Sequence, residues 1–126
     1  MVEQYLLDTN PVIDFFNSSL PIAGKNFIAG IEPTISIISY IELLSNKNIP
    51  KLEWNQLLDF VQIAVIYDLK KEIVEQTIIL RQNFKIKTPD AIVAATALVH
   101  NKKLITRNIS DFKNIPGLTI IDPSNL

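Results

Sequence analysis

Short apolar runs alternate with longer amphipathic stretches along most of this chain. The apolar runs are rich in β-branched and aliphatic residues, which are typical of strands. The predicted strands cover residues 4–7, 34–38, 64–67, 103–106 and 118–121. Because strands that alternate with helices usually form a parallel sheet covered by helices, the pattern predicts an α/β domain.

The stretches between these runs carry signals for helix starts. Asn10 is predicted as the N-cap of the first helix, with Pro11 preorganised for its first position. Residues 22–31 are the exception, because Gly24 and Gly30 weaken a helix there. The other predicted helices begin near Ser39, Pro50, Leu69 and Thr88-Pro89.

The composition narrows the possible chemistry. The chain has 126 residues, which predicts one domain over residues 1–126, and 48% of them are hydrophobic, which suits a folded core. It has no cysteine, so disulfides, cysteine-zinc sites and thiol nucleophiles are excluded. Its one histidine, His100, excludes a multi-histidine metal site, and its predicted place at a helix end favours a structural role. With no apolar run of membrane length and no signal-peptide pattern, we expect a cytoplasmic protein.

The net charge of −1 conceals an uneven distribution. Residues 1–80 hold 5 basic and 10 acidic residues, whereas residues 81–113 hold 7 basic residues against Asp90 and Asp111. A basic segment of this kind attracts a polyanion even when the whole protein is nearly neutral, although a solvated surface explains it equally well.

Four of the acidic residues stand where predicted strands end or helices begin. Asp8 follows the first strand, Glu42 lies one turn beyond Ser39, Asp90 is in the first turn of its helix, and Asp111 follows the fourth strand. In a parallel sheet the carboxyl ends of the strands share one edge, where ligands bind. We therefore expect these four side chains to converge.

Each acidic residue also has a structural interpretation. Ser39-x-x-Glu42 matches a capping box, Asp90 complements a helix dipole, and Asn108-x-x-Asp111 could be another cap. Caps alone, however, do not require all four acids to share one edge. Asp14 lies further into the first helix and is expected to be exposed rather than a fifth ligand.

Clustered carboxylates repel one another unless a cation neutralises them. Without cysteine or clustered histidine, an all-oxygen site selects a hard ion, Mg²⁺ or Mn²⁺. Such an ion activates water and neutralises charge that develops on phosphorus. The expected reaction is hydrolysis of a phosphodiester.

Four segments together resemble the PIN-domain nucleases, and among them the VapC-type toxins of type II toxin–antitoxin pairs. These segments appear in the family's order, and the resemblance extends over the whole chain. They are LDTN at 7–10, SYIELL at 39–44, TPDAIVAATA at 88–97 and LITRNISDF at 104–112.

The resemblance implies a three-layer α/β/α fold with a mainly parallel central sheet and an Mg²⁺- or Mn²⁺-dependent endoribonuclease. It also implies a homodimer and a cognate antitoxin that covers the acidic cleft. By position, the resemblance assigns the catalytic and metal-binding roles to Asp8, Glu42, Asp90 and Asp111. Thr9 and Asn108 match polar positions that support the ligands or the substrate, and Arg107 and Lys87 are the basic residues nearest to them in sequence and candidates for phosphate contact.

Three other functions fit parts of the sequence. A PIN-domain nuclease of RNA processing would share the site but lack an antitoxin, and a catalytically silent PIN scaffold would keep the fold alone. A phosphoreceiver-like module is also α/β and binds Mg²⁺. It is disfavoured because Thr9 and not a second acid follows Asp8, and because no lysine occurs after Lys113.

Overall fold

The computed structural model describes residues 4–126, which form an α/β structure around a five-stranded sheet. All strand pairs are parallel, and the order is β3-β2-β1-β4-β5. The strands are β1 (Tyr5–Leu7), β2 (Thr34–Ser36), β3 (Val65–Tyr67), β4 (Lys103–Ile105) and β5 (Ile120–Ile121). The helices are α1 (Thr9–Phe16), α2 (Ile22–Ala29), α3 (Ile37–Ser45), α4 (Lys51–Ile63), α5 (Lys71–Asn83), α6 (Thr88–Val99) and α7 (Ile109–Phe112).

The central strand β1 supplies both faces of the sheet with core residues. Successive side chains of a strand point to opposite faces, so Leu6 and Leu7 enter different clusters. Leu6 packs with α5 and α6, and Leu7 packs with α1, α2 and α4. The predicted three-layer α/β/α arrangement is therefore confirmed.

The helix starts differ from the prediction at two places. Helix α1 is capped by Asp8, whose side chain accepts a hydrogen bond from the Thr9 amide, so Asn10 lies inside the first turn and its prediction as N-cap is wrong. Helix α3 is capped by Ser36, whose Oγ accepts from Ser39 N at 3.2 Å. Ser39 is thus a buried helical residue, and the capping-box interpretation of Ser39 and Glu42 is wrong.

Helix α2 forms despite its glycine, against the expectation for residues 22–31. Gly24 is buried beneath the 3₁₀ turn Pro123–Asn125, where an added Cβ would lie 2.1 Å from the Pro123 carbonyl oxygen. Gly30 follows the helix as its C-cap. The cost of glycine in a helix is here offset by the close approach that it permits.

Helix α6 lies against the sheet through small side chains. Ala91, Ala94, Ala95 and Ala97 are all completely buried. Because α6 leads directly into β4 and runs back across the sheet, its N-terminus lies at the carboxyl edge of the strands. No helix within residues 4–126 is long and apolar enough to cross a membrane.

Candidate active site

Asp8 occupies the carboxyl end of the central strand. The register pairs Leu7 with Ile105, which places Asp8 beside Thr106 at the end of the neighbouring strand. Thr106 Oγ1 donates to Asp8 Oδ2 at 2.9 Å, and Thr9 N donates to Asp8 Oδ1 at 2.8 Å. Asp8 is 7% exposed, and each oxygen of its carboxylate is held by one of these hydrogen bonds.

Glu42 reaches the same edge from helix α3. Thr9 Oγ1 donates to Glu42 Oε1 at 2.6 Å and also lies 3.2 Å from Ser39 Oγ. The Thr9 amide orients Asp8 while its hydroxyl orients Glu42, so this one residue links two of the predicted ligands. Glu42 itself remains exposed.

Asp90 and Asp111 line one cavity beside this edge. Asp90 is in the first turn of α6, where the helix dipole favours a carboxylate. Asp111 accepts a hydrogen bond from Asn108 Nδ2 at 2.6 Å, and Asn108 N donates to Thr106 Oγ1 at 3.0 Å. Thr106 therefore connects the Asn108–Asp111 pair to Asp8.

The charges of the four carboxylates act on one another. Burial raises the pKa of Asp90, and the negative charges of Asp8, Asp111 and Glu42 raise it further, whereas Lys87 lowers it. Burial also raises the pKa of Asp8, with a smaller increase from Glu42, despite the hydrogen bonds from Thr9 and Thr106 that oppose the shift. The structure thus brings all four predicted residues into one electrostatic field.

The carboxylates are nevertheless not gathered into a closed ligand set. Within residues 4–126, no three acidic or imidazole side chains are close enough together to hold a metal ion by themselves. Asp111 accepts from the amide of Asn108, whereas Asp8 and Glu42 accept from the hydroxyls of Thr106 and Thr9. In the part of the chain that the structure describes, residues 4–126, Asp90 has no side-chain hydrogen-bond donor, so no cationic side chain hydrogen-bonds to Asp8 or Asp90. All four residues present the hard oxygen atoms that Mg²⁺ and Mn²⁺ prefer.

Asp14 corrects the sequence analysis, which placed it on the surface. It is only 5% exposed, and Arg107 Nη1 lies 2.9 and 2.8 Å from its two carboxylate oxygens. Arg107, predicted to contact phosphate, is therefore bound to an acid of α1, although half of its side chain remains exposed.

His100 lies away from the acidic edge, at the C-terminus of α6. Its ring stacks on Tyr67 with the centroids 3.8 Å apart, and burial together with Lys102 and Lys70 lowers its pKa. These contacts agree with the structural role predicted for it.

Thr106 is the residue of this site that the sequence analysis missed. It is completely buried, donates to Asp8 and accepts from Asn108. A threonine directly after a buried strand that pairs with β1 is the signal that would have indicated it, because parallel strands end at the same edge.

The fold and this site define a class of α/β proteins that carry an acidic pocket at the carboxyl edge of a parallel sheet. A profile of the PIN domain matches residues 5–118. The chain therefore belongs to the PIN domain family, and the resemblance predicted from its motifs is confirmed.

Several relatives of this chain in sequence and in structure carry the name VapC or VapBC. Ribonuclease VapC2 of Rickettsia felis is 27% identical across 92% of this chain and 95% of that protein. A toxin–antitoxin complex from Klebsiella pneumoniae contains a chain with 34% identity and a TM-score of 0.78, over 95% of this chain and 98% of the other. A VapBC2 complex from Rickettsia felis, bound to a DNA fragment from its promoter, gives 27% identity and a TM-score of 0.74, over 93% and 96%.

Proposed function

We propose that this protein is a divalent-cation-dependent endoribonuclease of the VapC type that hydrolyses RNA phosphodiester bonds. The observation that carries the proposal is the line of hydrogen bonds through Thr9, Thr106 and Asn108, which ties three of the four carboxylates together beside Asp90 at the carboxyl edge of a PIN-domain sheet. The relative VapC2 is itself named a ribonuclease and matches nearly the whole chain.

Asp8 and Asp90 are proposed as the residues that hold Mg²⁺ or Mn²⁺. Mg²⁺ usually keeps several waters and needs only one or two protein carboxylates, so an open pair suits it better than a closed cage would. When bound, the cation would lower the pKa of an attacking water and neutralise charge on the phosphate. The raised pKa values of Asp8 and Asp90 support this assignment, because a bound cation would offset the burial that chiefly raises them and the repulsion that adds to it.

Glu42 and Asp111 complete the proposed site from its two sides. The hydroxyl of Thr9 fixes the Glu42 carboxylate, and the amide of Asn108 fixes that of Asp111. Both acids are exposed and can therefore accept hydrogen bonds from water at the reacting phosphate. Fixed acceptors of this kind orient the nucleophile at little entropic cost.

Basic residues beside the carboxylates are proposed to bind the phosphates of the substrate. Lys87 is exposed and acts on the pKa of Asp90, so it lies within electrostatic range of the centre. Arg107 can contact a phosphate with its exposed half while it stays bound to Asp14. Such contacts position a strand and do not read its sequence.

A toxin role with a protein antitoxin is proposed from the relatives that were solved as toxin–antitoxin complexes. An apolar cavity of about 220 Å³ between α1, α2 and α4 suits a partner helix, because Phe15, Phe16 and Ile63 line it and Ile63 is 74% exposed. Expression of this protein alone should arrest growth, and co-expression with a candidate antitoxin encoded beside its gene should relieve the arrest and yield a co-purifying complex. RNA cleavage without growth arrest would favour an RNA-processing nuclease.

Cleavage of end-labelled RNA by the purified protein tests the catalytic proposal. We expect cleavage with Mg²⁺ or Mn²⁺, none with excess chelator, and none by Asp90→Asn. Asp59→Asn is the matched control, because Asp59 is an exposed acid on α4. Cleavage by Asp90→Asn at the wild-type rate would overturn the site, and a wild type inactive on every RNA offered would favour the silent scaffold.

A further inference from the structure

A basic groove adjoins the acidic centre on the side of helix α5. Its cavity of about 390 Å³ falls within the size range of ligand pockets in proteins. The residues that line it are Arg81, Lys85, Ile86, Lys87, Asp90 and Asp111. The groove thus joins a set of basic side chains directly to two of the proposed catalytic acids.

Arg81 is held in the groove by the backbone. Its Nε donates to the carbonyl oxygen of Ile86 at 3.2 Å, and Ile86 is only 9% exposed. This bond fixes the plane of the guanidinium in the last turn of α5 and leaves its two terminal nitrogens for a ligand. Within residues 4–126, Arg81 makes no ion pair.

Lys85 lies on the same connection between α5 and α6 and is exposed. Neither it nor Arg81 is neutralised by an acid of the described chain, whereas Arg107 is bound to Asp14 and Lys71 is paired with Glu75 at 3.9 Å. The groove therefore keeps basic groups without acidic partners next to a strongly acidic pocket.

We infer that Arg81 and Lys85 each bind a phosphate of the RNA strand beside the phosphate that is cleaved. The inference rests on the proposed function. A strand whose reacting phosphate lies at Asp90 must continue past one side of that residue, and the groove is a basic path that starts there. A fixed guanidinium binds a phosphate through two parallel hydrogen bonds, and Lys85 adds a mobile charge.

The salt dependence of RNA binding tests this inference without catalysis. Binding of a fluorescent single-stranded RNA to the Asp90→Asn protein in excess chelator is measured by anisotropy over a range of KCl concentrations. Each phosphate contact on a single strand contributes about 0.7 to the slope of log K against log salt. We expect Arg81→Gln and Lys85→Gln each to reduce that slope by about 0.7, and the double variant by about 1.4.

Lys71→Gln is the matched control, because it removes an equal charge from the first turn of the same helix. It should leave the slope unchanged. Lys85→Gln keeps the test valid even if Arg81→Gln does not fold, because Lys85 makes no side-chain hydrogen bond within residues 4–126 that the substitution would break. The inference would be overturned if both groove variants kept the salt slope of the Asp90→Asn protein. It would also be overturned if the Asp90→Asn protein bound no RNA at all.

The failure of this inference is distinguishable from the failure of the proposed function. If the wild type cleaves RNA with Mg²⁺ while the groove variants show the KM and the salt slope of Lys71→Gln, the groove assignment alone is wrong. If the wild type does not cleave, the proposed function is wrong. Groove variants that bind RNA normally but lose capture of a co-expressed antitoxin would assign the surface to that protein and contradict the inference.

Discussion

Asp8 caps helix α1 and Asp14 lies within the same helix. Both are buried acids, and they differ in the charge of the groups that bind them. Asp14 is 5% exposed and lies against the guanidinium of Arg107. Asp8 is 7% exposed, and within residues 4–126 its carboxylate receives hydrogen bonds only from the neutral groups of Thr9 and Thr106. One carboxylate is neutralised by the chain itself, and the other is not.

We interpret this difference as one between an acid that stabilises the fold and an acid that is proposed to bind a ligand. Burying a carboxylate is costly unless it is paired, and the Asp14–Arg107 pair offsets that cost within the protein. The charge of Glu42 opposes the ionisation of Asp8, and the charges of Asp8 and Glu42 oppose the ionisation of Asp90. We interpret the uncompensated charge as the attraction for a cation.

The largest effect is expected from exchanging the two acids for their amides. Asp8→Asn should reduce RNA cleavage by at least about a hundredfold, since loss of even a residue that supports a metal ligand costs about ten- to a hundredfold. Asp14→Asn should lose much less activity per folded molecule, because it changes only the anchor of Arg107 and none of the four carboxylates of the proposed site. The rates are compared under single-turnover conditions after circular dichroism confirms both folds. Equal losses in both variants would erase the distinction.

Asp14→Asn should lose more stability than Asp8→Asn, which is the reverse of their order in lost activity. Asp14→Asn should lower the free energy of unfolding by about 2 kcal/mol, because hydrogen bonds to a charged group are lost and Arg107 is left unpaired. A double-mutant cycle with Arg107→Gln in urea denaturation measures the coupling of this pair. Additive single effects would show that the pair contributes nothing.

The third effect concerns the link between Asp8 and Glu42. Thr9→Val removes the hydroxyl that binds Glu42 but keeps the amide that binds Asp8. Cleavage should fall about tenfold, as is common for residues that orient metal-site ligands. Thr9→Ser, which keeps the hydroxyl, should restore the rate. A Thr9→Val variant as active as the wild type would show that the Thr9 hydroxyl does not position Glu42 for catalysis.

The smallest effect is a pH dependence in metal-free protein. The pKa of Asp90 is raised in the fold above the ordinary aspartate value of 3.8, so its ionised form destabilises the folded state at neutral pH. Asp90→Asn should therefore melt at a higher temperature than the wild type at pH 7 in chelator. The difference should shrink as the pH falls through the folded pKa, because the folded carboxyl then takes up its proton. A difference that grows with acidification would contradict the sign of this shift.

The sequence predicted the strands and the acidic edge because both depend on local patterns. Helix starts were less certain, since several polar residues near each start could serve as caps. Asp8 and Ser36 cap α1 and α3 in place of Asn10 and Ser39. Asp8 directly follows β1 and Ser36 is the last residue of β2, so in each case the chain turns into the helix at the end of the strand.

Contacts between distant parts of the chain could not be predicted from such patterns. Asp14 and Arg107 are 93 residues apart, and nothing near either one indicates the other. Gly24 is explained only by the carbonyl of Pro123 that lies against it. Such long-range contacts explain why Asp14 is buried although it was predicted to be exposed. They also explain why α2 forms although its glycines disfavour a helix.

The most direct test of the central claim is the melting temperature of the protein as Mg²⁺ is added. If Asp8 and Asp90 hold the cation, the wild type should gain about 2.7 kcal/mol of stability at a concentration a hundred times the dissociation constant. Asp14→Asn should respond equally, from a lower starting point, whereas Asp90→Asn should not respond. A wild type indifferent to Mg²⁺ and Mn²⁺, or an equal gain in Asp90→Asn, would contradict the account.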